Sequence, residues 1–121
     1  MNILIFCHFG KNRSRYLADY LVEKGYQDVK HAGVMDPDHE KIQKEIDWAD
    51  IIIYVSHHIH DDVLAEYRVE NKREIILEVE DRPEIVLPDH RHLQDIEWSE
   101  FQKEYVYPAL KEQLEKYLPF E

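Results

Sequence analysis

The sequence predicts a single α/β domain, spanning residues 1–121, with a four-stranded parallel sheet flanked by helices. Three observations predict it. Four short strand-like stretches, three of them apolar runs and one weaker, each precede a segment with apolar residues at helical spacing, which gives the order β-α-β-α-β-α-β-α. The clearest of these runs is continuously apolar rather than alternating, as in a strand covered on both faces, and parallel neighbours need helical crossovers of this kind. At 121 residues the chain has room for one core and not for two.

Taken in order, "NILIF" (2–6), ending at Cys7, reads as the first buried strand. Leu17, Ala18, Leu21 and Val22 then form a helical stripe, and Gly25 stands where a left-handed C-terminal cap belongs. "DVKHAG" (28–33) is a weaker second strand. Residues 36–49 read as a helix, with Asp38 as N-cap and Ile42, Ile46 and Ala49 facing inward. "DIIIYVS" (50–56) is the clearest strand and is expected at the sheet centre. Residues 58–71 follow as a helix burying Ile59, Val63, Leu64 and Tyr67, and "EIILEV" (74–79) is the fourth strand. A polar, proline-bearing segment (80–92) leads to a last helix over 99–118, with Ser99 as its cap and Pro108 kinking or restarting it. No internal repeat, low-complexity tract or linker interrupts this order.

A formal charge of −11, from 26 acidic against 15 basic residues, repels nucleic acid and anionic membranes, so neither is an expected partner. The sign reverses locally, because Lys11, Arg13 and Arg15 lie together. One cysteine cannot form an internal disulfide, and neither a signal-peptide pattern nor a membrane-length apolar run is visible. Together these features predict a cytoplasmic setting. No oligomeric state is specified.

The local reversal falls in "FCHFGKNRS" (6–14), between the first strand and the first helix. In open parallel sheets ligands collect beyond the carboxyl ends of the strands, and Cys7 stands at such an end. A strand-to-helix loop can aim backbone N–H groups at an anion, aided by the positive end of the helix. Gly10 supplies left-handed backbone angles without steric cost. Arg13 supplies a planar fork for two phosphoryl oxygens. The helix start and Arg13 favour a nucleophilic Cys7 thiolate, to which Ser14 can hydrogen-bond. The phosphate-binding set is then His8, Phe9, Gly10, Lys11, Asn12, Arg13 and Ser14, with His8 and Phe9 at the mouth, where they favour an aromatic group, or with Phe9 packed inward. Alternatively, Cys7 is a small core residue, as free cysteines often are.

"CHFGKNRS" matches the Cys-x5-Arg-Ser signature of cysteine-dependent phosphatases. With only six residues before Cys7, the order resembles the low-molecular-weight protein tyrosine phosphatase family, whose loop follows the first strand and whose acid comes late. "HAG" (31–33) is similar to that family's Ser-Ala-Gly, "WADIIIYVS" (48–56) to its third strand, and "EVEDRP" (78–83) to the strand end that carries its acid. The resemblance implies a flavodoxin-like fold and a phosphomonoesterase acting through phosphocysteine on a phosphorylated protein or small phosphoester, without cofactor or metal. It also implies Cys7 as nucleophile, Arg13 as phosphoryl ligand and Asp81 as general acid, with Asp89 in reserve. Asp36 precedes a proline, as the family's acid does, but follows the second strand. Gly10 and Asn12 stand where the family commonly has asparagine and a second cysteine, so its bracing network and disulfide are not implied.

Rival readings are arsenate reduction, which usually relays oxidation through further cysteines, a phosphocarrier like the sugar-transport IIB proteins, and a phosphate-binding module without catalysis. "SHHIHDD" (56–62) offers histidines 57, 58 and 60 and Asp61 and Asp62, but helix geometry spreads these side chains, with His57 and Asp61 a close i,i+4 pair. "DHRH" (89–92) carries a weaker signal of the same kind. Tyr16, Tyr20, Tyr105 and Tyr107 read as packing or surface residues, and Glu112 and Glu115 as a solvated face.

Overall fold

A computed structural model describes residues 1–79 and 98–120. Four parallel strands lie in the order β2-β1-β3-β4: β1 Ile3–Cys7, β2 Val29–Gly33, β3 Ile51–Tyr54 and β4 Arg73–Ile76. This is the flavodoxin-like order, and the side on which successive strands are added switches between β1 and β3. These two central strands are buried at every residue, whereas β2 and β4 at the edges are exposed over part of their length. Continuous Ile, Leu and Phe in the first pair and interspersed charges in the second follow from that placement. The register sets Cys7 beside Gly33, and Phe6 between Ala32 and Tyr54.

Helix α1 (Arg13–Glu23) packs on β1 and β2 through Leu17, Ala18 and Leu21. Val22, expected to face inward, is 55% exposed, and Tyr20 is buried instead. Each helical residue turns the side chain by about 100°, which carries Val22 past the edge of the Leu17–Leu21 stripe. The helix ends as expected at Gly25: Gly25 N–H donates to Val22 O at 3.0 Å and Tyr26 N–H to Leu21 O at 3.0 Å, with Gly25 at φ +103°.

Helix α2 (His39–Trp48) starts later than residue 36, because Pro37 disfavours helical angles at Asp36. Asp38 is its N-cap, accepting from Lys41 N–H at 3.1 Å. Helix α3 (His57–Glu66) is capped by Ser56 and stops before Tyr67, whose backbone is extended, so the helix expected to reach 71 is shorter. Leaving the helix lets Tyr67 bury its ring, whereas Leu64, expected inside, is 44% exposed. Beyond β4, Leu77 and Val79 still donate to Tyr54 O and Val55 O, at 2.8 and 3.0 Å, which keeps that segment beside β3 almost as far as the expected strand over 74–79.

The C-terminal helix is not one regular element. α4 (Trp98–Phe101) runs into a π turn (Gln102–Val106) and then α5 (Tyr107–Glu115). Pro108, in the first turn of α5, cannot donate to the carbonyl four residues back, and the wider turn lies where that bond is missing. α4 already includes Ser99, expected as the cap, and α5 ends before 118. α5 packs against α1, which brings the π turn close to the start of α1. Among the described residues, no helix is long and apolar enough to cross a membrane.

Candidate active site

Strand β1 delivers Cys7 to the carboxyl end of the sheet where the strand order switches, and α1 begins six residues later at Arg13. Between them the chain wraps the sulfur. Gly10 N–H donates to Cys7 Sγ at 3.1 Å, and Ser14 Oγ lies 3.0 Å from the same atom. Cys7 is 3% exposed and belongs to the buried core cluster, as a packing cysteine would, yet its sulfur is met by polar groups. A side chain present only for packing gains little from such company; a thiolate gains charge-assisted hydrogen bonds. Among the described residues, the N–H groups of Lys11, Asn12, Ser14 and Arg15 have no hydrogen-bond partner. Such a run of loop and helix-start donors suits an anion.

Arg13 is buried at the first turn of α1, and its Nη1 donates to Val79 O at 2.8 Å. That bond ties the segment after β4 to the loop after β1. The loop also rests on β2. Val34 N–H donates to Cys7 O and Met35 N–H to His8 O, both at 3.0 Å. Gly10 has φ +74°, and a Cβ on it would lie 2.6 Å from Gly33 N. A Cβ on Gly33 would lie 2.3 Å from Phe9 C. Both positions therefore need glycine, because the opposing atoms are backbone. His31 Nδ1 stands 2.7 Å from Gly10 O, and since a carbonyl only accepts, that nitrogen carries the proton.

Asn12 is held from the far end of the chain. Its Nδ2 donates to Gln102 Oε1 at 2.7 Å, and its Oδ1 accepts from the Tyr107 hydroxyl. Tyr107 thus has a polar role beyond the packing expected of it, and Glu115, expected on a solvated face, accepts from Tyr20 OH at 2.7 Å. At the rim, His8 and Lys11 are exposed, and Phe9 is 65% exposed with its ring edge-on to His8 at 4.4 Å. Phe9 does not pack inward.

Of the three carboxylates weighed as general acid, Asp81 and Asp89 lie outside the described residues, as does "DHRH". Asp36 accepts from Asp38 N–H and from Lys41 Nζ, which hold its carboxyl below the usual carboxylate range and suit a structural turn. The histidines after β3 are dispersed. His57 pairs with Glu78 at 2.9 Å rather than with Asp61, which instead lies 3.2 Å from His60. No group of three or more potential ligands for a metal occurs among the described residues.

The Glu78 carboxylate raises the affinity of His57 for its proton above the ordinary histidine value of 6.5. A raised folded-state value means that the pair stabilises the fold fully below the unfolded value and ceases to do so as pH rises through the folded one. In an NMR titration Glu78→Gln is expected to move the His57 midpoint down, while an unmoved midpoint would remove Glu78 as the cause.

His31, Gly33, Gln102 and Tyr107 join the site without having been singled out for it in the sequence. "HAG" carried a signal for the first two; nothing near Gln102 or Tyr107 did.

No protein-family model matches the chain, and no curated protein does. Among solved structures it is similar to YwlE arginine phosphatase from Geobacillus stearothermophilus, at 17% identity and a TM-score of 0.45, over 99% of this chain and 97% of that one.

Proposed function

We propose that this protein is a cysteine-dependent phosphomonoesterase of the protein tyrosine phosphatase kind. The observation that carries the reading is the polar cradle of Cys7: Gly10 N–H and Ser14 Oγ on the sulfur, with Arg13 at the adjoining helix start. In the first step the Cys7 thiolate attacks phosphorus while the bond to the leaving oxygen breaks and Asp81 gives that oxygen its proton. Water then attacks the phosphocysteine, Asp81 takes a proton from it, and the S–P bond breaks to release phosphate and the thiolate. Arg13 and the loop amides hold the equatorial oxygens throughout. The choice of Asp81 rests on its place in the sequence, two residues after Val79, whose carbonyl Arg13 holds. Exposed Phe9 beside His8 favours an aromatic leaving group.

Hydrolysis of para-nitrophenyl phosphate in the presence of a chelator tests this reading. The wild-type chain is expected to turn over, and Asp81→Asn to lower kcat by about 10²- to 10⁴-fold, the usual worth of a positioned acid, with phosphate affinity retained. Equal activity in Asp81→Asn and a matching loss in Asp89→Asn would transfer the role to Asp89. Orthovanadate binding without any turnover by the wild type would leave a phosphate-binding module and overturn the enzymatic reading.

A further inference from the structure

Two residues far along the chain hold one side chain of the loop. Asn12 directly precedes α1, where an asparagine ordinarily turns its side-chain oxygen onto an N–H two or three residues ahead. Here those groups would belong to Ser14 and Arg15. Asn12 makes no such bond. Its amide runs the other way, into Gln102 Oε1 and the Tyr107 hydroxyl, so that both ends are engaged.

The holding groups are themselves fixed. Gln102 is 1% exposed and opens the π turn, a feature that re-aims helical side chains and often marks functional positions. The Tyr107 ring stacks on Tyr16 of α1, with centroids 4.3 Å apart and planes within 6°. A cap on α1 would occupy donors that, among the described residues, Ser14 and Arg15 leave without a partner.

We propose that Gln102 and Tyr107 are positioning residues: by gripping the Asn12 amide they keep it from capping α1, and so leave the helix-start N–H groups to the oxyanion. The inference rests on the phosphate-loop reading given above. A cap bond and a phosphoryl oxygen compete for the same donors, so releasing Asn12 weakens anion binding by the worth of one cap, roughly five- to tenfold.

Titration of the full chain with inorganic phosphate tests the competition. Tyr107→Phe, which removes a hydroxyl and keeps the ring stack, is expected to weaken binding about twofold, and Tyr107→Phe with Gln102→Met about five- to tenfold. In the double variant the Ser14 and Arg15 amides are expected to exchange more slowly with solvent; adding Asn12→Ala to that pair removes the competing side chain and is expected to reverse this slowing and to restore affinity to within about twofold of wild type. A triple variant as weak as the double, or weaker, means that the grip only braces the loop and overturns the proposal. Should the double variant fail to fold, Tyr107→Phe with and without Asn12→Ala gives the same comparison. Wild-type affinity in the double variant overturns this inference alone, whereas a wild-type chain that neither binds phosphate nor hydrolyses para-nitrophenyl phosphate removes the reading beneath it.

Discussion

Cys7→Ser is expected to lower para-nitrophenyl phosphate turnover by roughly 10⁴-fold or more, the scale on which hydrolases lose rate when their nucleophile is removed. The variant keeps what the fold needs. Serine is smaller than cysteine by less than a methylene, and its hydroxyl can still meet Gly10 N–H and Ser14 Oγ, which lie 3.1 and 3.0 Å from the sulfur. A serine hydroxyl, however, stays protonated near neutral pH, and among the described residues the groups on the Cys7 sulfur, Gly10 N–H and Ser14 Oγ, include no base comparable to the partner of a serine hydrolase nucleophile. Chemistry should therefore fail while binding survives. Thermal unfolding is expected to stay within about 1 kcal/mol of wild type, and sulfate or vanadate should still bind. Turnover at the wild-type rate by Cys7→Ser would take the cysteine out of the mechanism. A collapse of the fold would point back to a packing role, which only the comparison of unfolding with anion binding can expose.

The second large effect concerns two glycines that touch. A Cβ on Gly33 falls 2.3 Å from Phe9 C and 2.6 Å from Gly10 N. A Cβ on Gly10 falls 2.6 Å from Gly33 N and 2.7 Å from Ala32 C, at φ +74°. Every one of these atoms is backbone, so no side chain can rotate away and the loop must lift from β2. Gly33→Ala is expected to cost about 1–3 kcal/mol of stability, as overpacking does, and Gly10→Ala adds about 1–2 kcal/mol for the left-handed conformation. The functional loss should exceed what stability alone would give. A lifted loop takes Gly10 N–H away from Cys7 Sγ, and loss of one preorganised donor at a reacting centre costs roughly 10²-fold in rate. Gly25→Ala serves as the control. Gly25 also has positive φ, +103°, but a Cβ there meets nothing within 4 Å, so its substitution should lower stability without changing turnover of the folded fraction. Urea unfolding run beside the hydrolysis assay separates the two effects; equal activity losses in all three variants would mean that the Gly10–Gly33 contact is not special to the site.

Much of this site is local in the chain, which is why it can be read there. Cys7, Gly10, Arg13 and Ser14 fall within one strand-to-helix connection, and the structure brings all four together around the sulfur or at the helix start beside it. Caps at Asp38 and Gly25 are equally local and stand where their residue types place them. Errors arise where a position lies at the edge of a pattern. Val22 and Leu64 have the right residue type for a core but sit just off the buried stripes of α1 and α3. The break after Glu66 likewise depends on what Tyr67 packs against, not on propensity alone, whereas the π turn before Pro108 has a local cause in that residue, where a kink or restart was expected.

The residues that brace the loop belong to a different class. His31 reaches Gly10 across 21 positions, Gln102 reaches Asn12 across 90 and Tyr107 across 95. Such pairings leave no trace in local composition, because each partner is an ordinary edge-strand or helix residue until the sheet order and the packing of α5 on α1 bring it near. By itself the sequence determined the element order, the strand that carries the cysteine and the residue types gathered in the connection that follows it, since propensity, periodicity and turn geometry act over a few residues. Tertiary structure alone decided which distant groups seat that connection on β2 and which hold its asparagine, since proximity across the fold is settled by the burial of whole faces and not by any short stretch of chain.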